Sequence, residues 1–399
     1  MFFPGQNWTG LCHFPKESMG CMRQTNWDAL RSYASKLNRG MRCELLPDAT
    51  HGRNYVVRVL EFEDKTRWIV RIQMAKPTTT SAGWLHSEVA TMMLVREQTR
   101  IHVPRVFGYR FDTNHSIRTA MMLTECVPAN AAMDLDGGRE THGGRIPHER
   151  RQSFYNQVAK VQLQMTSLRF PKIGVIVRNP DGTYDIGPFP GFGGPFDTAA
   201  DFFEAWARRA KFNKSDDTIR EMMGEFDPGL VEEALKSIRD FPAALGRMAA
   251  RLSFSNSGPF PLSHENLLHS NILTDEGYNV RSVIDWEGAC TRPWELIEFP
   301  AFLSAVPPVL EDPWNFDKDA QPLDEETRER WQERAEYVEM VARAEAEAGT
   351  DSRLSEVLED GSAHILAYTL RAYRDASRLL FYTKVLDELD TVEDFDTMD

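Results

Sequence analysis

The sequence is poor in cysteine, and its cysteines lack the arrangement of a metal ribbon or a disulfide framework. Only five occur among 399 residues, at wide spacing and without a CxxC pair. Long apolar runs are also missing, since no stretch approaches the roughly 18 residues that a membrane span needs. The N-terminal MFFPGQNWTG has neither the basic region nor the apolar core of a secretory signal. We therefore expect a reduced, cytoplasmic protein without a membrane partner.

Positive charge is scarce as well. Lys and Arg total 46 against 60 Asp and Glu, which gives a formal net charge of −14. A chain of this sign repels phosphate backbones, so nucleic acid is excluded as a main partner. The apolar share of 42% and the charged share of 27% are typical of a globular protein. At about 150 residues per domain, the length fits two to three domains or one two-lobed enzyme.

The first part of the chain mixes helical and strand patterns. Apolar residues at helical spacing predict a helix over 25–40. Period-two alternation over 55–60 and 68–73, with a polar turn between them, predicts an antiparallel hairpin. A helix is predicted over 84–99, and further strands over 106–111 and 119–125.

After residue 127 the pattern becomes mainly helical. A loop rich in Gly and Pro, GPFPGFGGPF, covers 187–196, and a strand–loop–strand unit is predicted at 261–286. Helices are predicted over 150–166, 198–210, 229–250, 324–348 and 353–388. The whole pattern predicts an α+β fold, with a small antiparallel-sheet N-terminal lobe and a larger, mainly helical C-terminal lobe.

The segment LSHENLLHSNILTDEGYNVRSVIDWEGA, residues 262–289, carries most of the recognisable chemistry. Two short apolar stretches flank the polar turn 275–277, so a hairpin would bring Asn271 and Asp285 to the same end. An amide oxygen and a carboxylate are hard oxygen ligands, which suit Mg²⁺. Asp285 alone would as often be a turn residue as a ligand.

The order of His264, Asn266, Asn271 and Ile284-Asp285-Trp286 resembles the catalytic loop of the aminoglycoside phosphotransferase family. This family is the small-molecule branch of the protein-kinase-like fold and also includes choline kinases. The resemblance extends from about residue 40 to about residue 305. It implies an N-terminal lobe over 1–124, a hinge over 125–130 and a C-terminal lobe over 131–399. The implied activity is transfer of phosphate from ATP, with Mg²⁺ bound, to a hydroxyl of a small molecule.

The resemblance also implies roles for residues of the N-terminal lobe. Arg71, positioned by Glu88, would contact the ATP phosphates, and Gly52 lies in the turn 48–54 that would cover them. Without the resemblance, Arg71 and Glu88 would be read as an ordinary surface ion pair.

The adenine would lie between the same sheet and the hinge. Ile69, on the strand face of Arg71, would pack on the base. The hinge residues Glu125 and Val127 would bond adenine through their backbone. Asn271 and Asp285 would hold the magnesium ion.

Two positions depart from the family pattern. Arg71 stands where kinases have Lys, and Arg keeps the charge but not its point-like geometry. Asn266 stands where the base Asp is expected, and its amide accepts a hydrogen bond but cannot take a proton. Asn266 would then orient the acceptor, with Glu265 and His269 as candidates for a displaced base. His264 is expected to brace backbone carbonyls rather than to donate protons.

Three functions remain open on these residues. The favoured one is a small-molecule phosphotransferase with a weakened base position. The others are a pseudoenzyme that binds nucleotide or metabolite, and a kinase-fold enzyme that performs another step of a natural-product pathway. Residues 311–360 carry 17 acidic against 6 basic side chains, which would suit a cationic acceptor. A solvated helix face followed by an acidic tail is the simpler explanation of that charge.

Overall fold

The computed structural model describes residues 9–10, 16–224, 228–373 and 380–391. The described residues fall into two compact units. The first unit comprises Met1–Val158, Ile176–Asp185 and His264–Ala289, and the second comprises Ala159–Val175, Ile186–Ser263 and Cys290–Asp399. The lobe boundaries predicted at 124 and 131 divide the chain differently, and they stay a prediction.

The first unit is organised around a six-stranded antiparallel sheet, in the order β1-β2-β3-β4-β6-β5. A three-stranded sheet in the same unit has the order β13-β12-β7. The strands of these two sheets are β1 (Thr9–Gly10), β2 (Cys43–His51), β3 (Tyr55–Phe62), β4 (Arg67–Gln73), β5 (Val106–Arg110), β6 (Met121–Glu125), β7 (Asn130–Ala131), β12 (Ile272–Thr274) and β13 (Val280–Val283).

The predicted hairpin is present as β3 and β4, with Val57 opposite Arg71 and Val59 opposite Ile69. The turn before it is shorter than predicted. Residues 48–51 are extended in β2, where Thr50 pairs with Val57, so only 52–54 remain as the turn. The ladder hydrogen bonds of β2 explain the difference, because they continue past a register shift between Leu45 and Ala49.

The first unit also contains helices. They are α1 (Lys16–Gln24), α2 (Trp27–Leu37), α3 (Thr79–Gln98), α4 (Gly138–His142) and α5 (His148–Thr166), the last of which extends into the second unit. Of these helices, α2 and α3 contact the sheet. Asn26 caps α2 by accepting from the Ala29 N–H, and Thr78 forms a capping box with Ser81 at the start of α3. The predicted helices at 25–40, 84–99 and 150–166 are therefore confirmed.

The second unit is mainly helical. Its helices are α6 (Ala199–Arg209), α7 (Asp216–Gly224), α8 (Val231–Met248), α9 (Glu325–Ala348), α10 (Arg353–Glu359), α11 (Gly361–Ala372) and α12 (Tyr382–Thr391). A third sheet contains β8 (Arg169–Phe170), β9 (Gly174–Arg178), β10 (Tyr184–Gly187), β11 (Phe260–Ser263) and β14 (Cys290–Thr291). The boundary between the units falls within β9 and β10. Single 3₁₀ turns lie at Pro228–Leu230, Ala249–Arg251, Trp294–Leu296, Ala301–Leu303, Pro308–Leu310 and Pro313–Asn315, and a kinked 3₁₀ segment lies at Ala132–Gly137 in the first unit.

An aromatic cluster forms part of the core of the second unit. Phe241 of α8 stacks on Tyr373 with 5.7 Å between ring centroids, and Tyr382 of α12 lies 5.1 Å from Phe241. All three side chains are buried. The cluster attaches the last described helix to the helical unit.

The single helix predicted over 353–388 is wrong. Asp360 is extended between α10 and α11, and its side chain accepts from the Ser362 N–H as the cap of α11. An Asp that can cap competes with the helix interior, which explains the break. Residues 374–379 of that prediction lie outside the described residues.

The α+β fold class is confirmed, with an antiparallel sheet in the N-terminal part and helices in the C-terminal part. None of the helices in the described ranges combines the length and the apolar character that a membrane crossing requires.

Candidate functional site

The hairpin β12–β13 places Asn271 and Asp285 at the same end, as the sequence predicts. Ile272 pairs with Val283, and the Ile284 N–H donates to the Asn271 carbonyl at 2.9 Å. Asp285 follows directly, with a left-handed φ of 65° that is uncommon for a non-glycine residue. The Asn271 amide nitrogen donates to the Asn266 carbonyl at 2.9 Å, which fixes the direction of the amide.

His264 braces this end of the hairpin. Its Nε2 hydrogen-bonds the Ile284 carbonyl at 3.1 Å, and its Nδ1 accepts from the Asn266 N–H at 3.2 Å. The ring lies against Trp286, with 4.8 Å between centroids. Burial lowers the pKa of His264 to about 4. A neutral imidazole with Nε2–H satisfies both hydrogen bonds, so the geometry agrees with the expected bracing role.

The Asn266 side chain is exposed on the turn after His264. Of the two candidates for a displaced base, His269 has Nε2 hydrogen-bonded to the Gly144 carbonyl at 2.5 Å, and Glu265 is exposed beside Gly288. A Cβ at Gly288 would lie 2.9 Å from the Glu265 Cγ. Glu265 is therefore packed against Gly288.

Arg71 and Glu88 form a buried ion pair rather than a surface one. Nη1 of Arg71 lies 2.5 Å from Oε1 of Glu88, whose side chain has no exposed surface, while the Arg71 side chain is 14% exposed. Burial raises the pKa of Glu88, and the nearby guanidinium opposes that shift. For Arg71, burial acts to lower the pKa, but the charge of Glu88 more than offsets it, so the pKa lies above its usual value. The arginine is therefore held in its charged form.

The second guanidinium nitrogen of Arg71 is buried without a hydrogen-bond partner among the described residues. It lies 3.7 Å from Oδ1 of Asp285, beyond hydrogen-bond distance. One face of the guanidinium is covered by Tyr55, whose ring centroid lies 4.3 Å from Cζ. A buried donor without an acceptor costs free energy unless a ligand supplies the acceptor.

These groups border a cavity of about 460 Å³ within the first unit. Seven of the ten residues singled out in the sequence line it: Gly52, Ile69, Arg71, Glu125, Val127, Asn271 and Asp285. The other three do not line the cavity but contact residues that do. Glu88 forms an ion pair with Arg71, His264 hydrogen-bonds the Ile284 carbonyl, and the Asn266 carbonyl accepts a hydrogen bond from the Asn271 amide. The predicted site residues are thus brought together in one connected array.

Sequence reasoning missed several lining residues. Tyr55 and Glu287 border the polar part of the cavity, and Met92, Thr124 and Leu273 border it as well. The signal for Tyr55 was available, because it lies on the same face of the predicted hairpin as Arg71. Met92 carried no such signal, since its helix is apolar on several sides.

The predicted hinge residues Glu125 and Val127 line the cavity. The Glu125 carboxylate accepts from the Arg105 N–H at 3.1 Å and lies 3.5 Å from Arg96, so its side chain is engaged elsewhere. The Val127 N–H has no hydrogen-bond partner in the described part of the chain. Between them, burial raises the pKa of the Cys126 thiol to about 11.

A magnesium ion fits the donor set at this cavity. Across the described ranges, no group of three or more His, Cys, Asp or Glu side chains comes together as a metal cage. Mg²⁺ is usually bound through one or two carboxylates together with substrate phosphates, so a full protein cage is not required. The Asp285 carboxylate and the Asn271 amide, at the same end of one hairpin, would supply the oxygen ligands that such a site needs.

Comparison with solved structures gives distant likenesses. A macrolide 2'-phosphotransferase type I is 14% identical, with a TM-score of 0.46 over 90% of this chain and 97% of that one. The macrolide 2'-phosphotransferase MphH from Brachybacterium faecium is 15% identical, with a TM-score of 0.44 over 89% and 97% of the chains. A thermostable mutant of aminoglycoside phosphotransferase APH(4)-Ia, in a ternary complex with AMP-PNP and hygromycin B, is 14% identical with a TM-score of 0.43, over 90% and 97%.

No curated protein matches the sequence. The family comparison is more decisive, because residues 43–295 match the phosphotransferase enzyme family, APH. That stretch is more than half of the 399 residues and includes every candidate site residue. The resemblance stated from the sequence is thereby confirmed, and the chain belongs to the phosphotransferase enzyme family.

Proposed function

We propose that this phosphotransferase-family chain binds Mg-ATP in the Arg71 cavity and transfers phosphate to a hydroxyl of a small molecule, with a weakened base position. One observation carries the proposal. The buried Arg71 guanidinium has a nitrogen without a hydrogen bond, 3.7 Å from the Asp285 carboxylate, at the wall of a cavity that Asp285 and Asn271 also line. A cation next to two hard oxygen ligands fits a metal-bound phosphate group.

Arg71 would contact the α and β phosphates. Glu88 holds one guanidinium nitrogen at 2.5 Å and leaves the other directed toward the cavity wall near Asp285. Because Glu88 is completely buried, the ion pair fixes the arginine from behind. Phosphoryl transfer draws most of its acceleration from such positioning and electrostatics.

The adenine would occupy the apolar part of the cavity. Ile69 and Leu273 line that part, and the open backbone N–H of Val127 would donate to the base. The volume of about 460 Å³ is in the range of ligand sites.

Asn271 and Asp285 would hold the magnesium ion, which supplies neutralisation of phosphate charge when bound. His264 keeps both residues in register, since it ties the Asn266 N–H to the Ile284 carbonyl. The chain's own contribution is thus a rigid hairpin end that presents an amide and a carboxylate.

Asn266 would orient the acceptor hydroxyl through its side-chain oxygen. An amide cannot take the proton, and general-base catalysis is typically worth roughly 10²–10⁴-fold in rate. The exposed position of Asn266 leaves it open to an acceptor of the small-molecule class, and a cationic acceptor remains part of the proposal. The second candidate, a nucleotide-binding pseudoenzyme, is favoured by the same asparagine.

Calorimetric titration with Mg-ATP tests the nucleotide site. We expect binding in the wild-type protein and a loss of its magnesium dependence in Asp285→Ala. Asp240→Ala, which removes an exposed carboxylate from α8, serves as the matched control and should bind normally. Absence of heat in the wild-type protein, or an equal effect of both substitutions, would overturn the assignment of the cavity.

ATP turnover with a panel of hydroxylated and amino metabolites separates the enzyme from the pseudoenzyme. If the site is a weakened kinase, Asn266→Asp should raise turnover by roughly 10²-fold or more. Asn213→Asp, on an exposed loop, adds the same charge elsewhere and should leave turnover unchanged. Binding without turnover in both the wild-type protein and Asn266→Asp favours the pseudoenzyme.

A further inference from the structure

The Arg71 guanidinium has a neighbour that the family pattern does not account for. Tyr55 begins β3, opposite Gln73, and Val57 is directly opposite Arg71 in the same ladder. Alternation along the strand puts Tyr55 and Val57 on one face, so Tyr55 and Arg71 are diagonal neighbours on that face. The hairpin register therefore brings an aromatic ring within reach of the arginine.

The guanidinium lies over the face of that ring. Cζ of Arg71 lies 4.3 Å from the centroid of the Tyr55 ring, and both side chains line the cavity. A guanidinium is planar and stacks on aromatic faces, whereas an ammonium group is a compact point charge. The contact thus depends on the planar shape of the guanidinium, which the lysine expected at this position would lack.

Tyr55 is partly buried where it borders the cavity. Burial raises the pKa of Tyr55, so its phenol stays protonated. Glu287 lines the same cavity, and its negative charge adds to that shift. The ring therefore meets Arg71 as a neutral aromatic group.

We infer that Tyr55 is a positioning residue for Arg71: its ring covers one face of the guanidinium, and the Arg71 nitrogen that makes no hydrogen bond is thereby aimed at the phosphate position. This inference rests on the proposed function. Glu88 fixes Nη1 of Arg71, but the guanidinium plane could still rotate about the hydrogen bond between Nη1 and Oε1 of Glu88. The Tyr55 stack removes this remaining freedom, so an arginine can serve in place of a lysine.

The positioning itself is measured without nucleotide. In the full-length protein, the Arg71 Nε–H resonance is identified as the one that disappears in Arg71→Lys. A ring stacked at 4.3 Å should shift it upfield. Tyr55→Leu should return it toward the position of an unstacked arginine, and Tyr55→Phe should not. A resonance that is the same in Tyr55→Leu as in the wild-type protein would overturn the inference.

The consequence for the site is measured as affinity for Mg-AMP-PNP. Tyr55→Leu should weaken binding by about tenfold and Tyr55→Phe by less than about threefold, because the ring face supplies the contact. In an Arg71→Lys background, Tyr55→Leu should cost less than about threefold, since an ammonium group has no plane to orient. Equal costs in both backgrounds would mean that Tyr55 only supports the fold, and the inference would fall.

Two controls complete the design. Tyr109→Leu removes a tyrosine from β5 of the same sheet, outside the cavity, and should leave affinity unchanged. Thermal unfolding without nucleotide checks that each variant is folded. If the wild-type protein binds no nucleotide while the Arg71 resonance still responds to Tyr55→Leu, the proposed function fails and the positioning role stands.

Discussion

Acidification should loosen the end of the β12–β13 hairpin through one buried imidazole. In the folded protein, His264 is neutral, because burial lowers its pKa from 6.5 to about 4. Its Nδ1 accepts from the Asn266 N–H, and a protonated ring would lose that acceptor while placing a charge in the core. Protonation of His264 is therefore coupled to unfolding of the segment around it.

The magnitude follows from the difference between the two pKa values. The shift from 6.5 to about 4 is about 2.5 pH units, and each unit corresponds to 1.36 kcal/mol, so the linked free energy is about 3 kcal/mol. The folded-state pKa is depressed, so this contribution is complete above pH 6.5. It is lost as the pH falls through the interval from 6.5 to about 4, and it does not change further below that interval.

Urea unfolding of the wild-type protein and His264→Gln, between pH 7.5 and pH 4, isolates this contribution. Glutamine keeps an N–H donor for the Ile284 carbonyl but does not titrate. All other groups are common to both proteins, so the difference in free energy of unfolding should shrink by about 3 kcal/mol on acidification. His148→Gln, at an exposed position, controls for the loss of one imidazole from the chain. A difference that is the same at both ends of the pH range would refute the reasoning.

Two further predictions concern stability. Glu88→Gln leaves the buried Arg71 charge without its partner and should lower the free energy of unfolding by about 3 kcal/mol, whereas Glu204→Gln, in an exposed ion pair, should change it by less than about 1 kcal/mol. Similar urea midpoints for these two variants would contradict the buried pair. Gly288→Ala should cost about 1–3 kcal/mol, because φ is +84° and a Cβ would lie 2.9 Å from a neighbouring side chain. Gly361→Ala, on a helix with nothing within 4 Å of its Cβ, should be neutral or stabilising by up to about 1 kcal/mol, and equal losses at both glycines would count against the steric argument.

The parts of the fold that depend on local patterns could be predicted from the sequence. Side chains alternate between the two faces along the β3–β4 hairpin, so the sequence alone predicts that Ile69 and Arg71 lie on one face. The segment around Asn271 and Asp285 was equally readable, because two short apolar strands and a polar turn leave one arrangement open. Family membership then followed from the spacing of the polar residues.

The parts that depend on long-range contacts could not be predicted. The burial of Glu88 is set by packing of α3 on the sheet, and an isolated Arg–Glu pattern reads equally well as a surface pair. The role of the Tyr55 ring depends on its diagonal contact with Arg71, which only the structure shows. At Asp360 the chain can either continue the helix or end it with the carboxylate as the cap of the next helix. Helical periodicity does not distinguish these two outcomes.

The segment from His264 to Ala289 begins and ends beside one residue pair of an antiparallel ladder. Ser263 of β11 pairs with Cys290 of β14, and Leu262 pairs with Thr291, so the two ends of the segment are adjacent in space. Changes of length inside the segment therefore do not alter the distance that β11 and β14 have to span. Within the segment, buried residues such as Val283 and Trp286 restrict exchange, so the exposed turn that carries Asn266 is the part that can change.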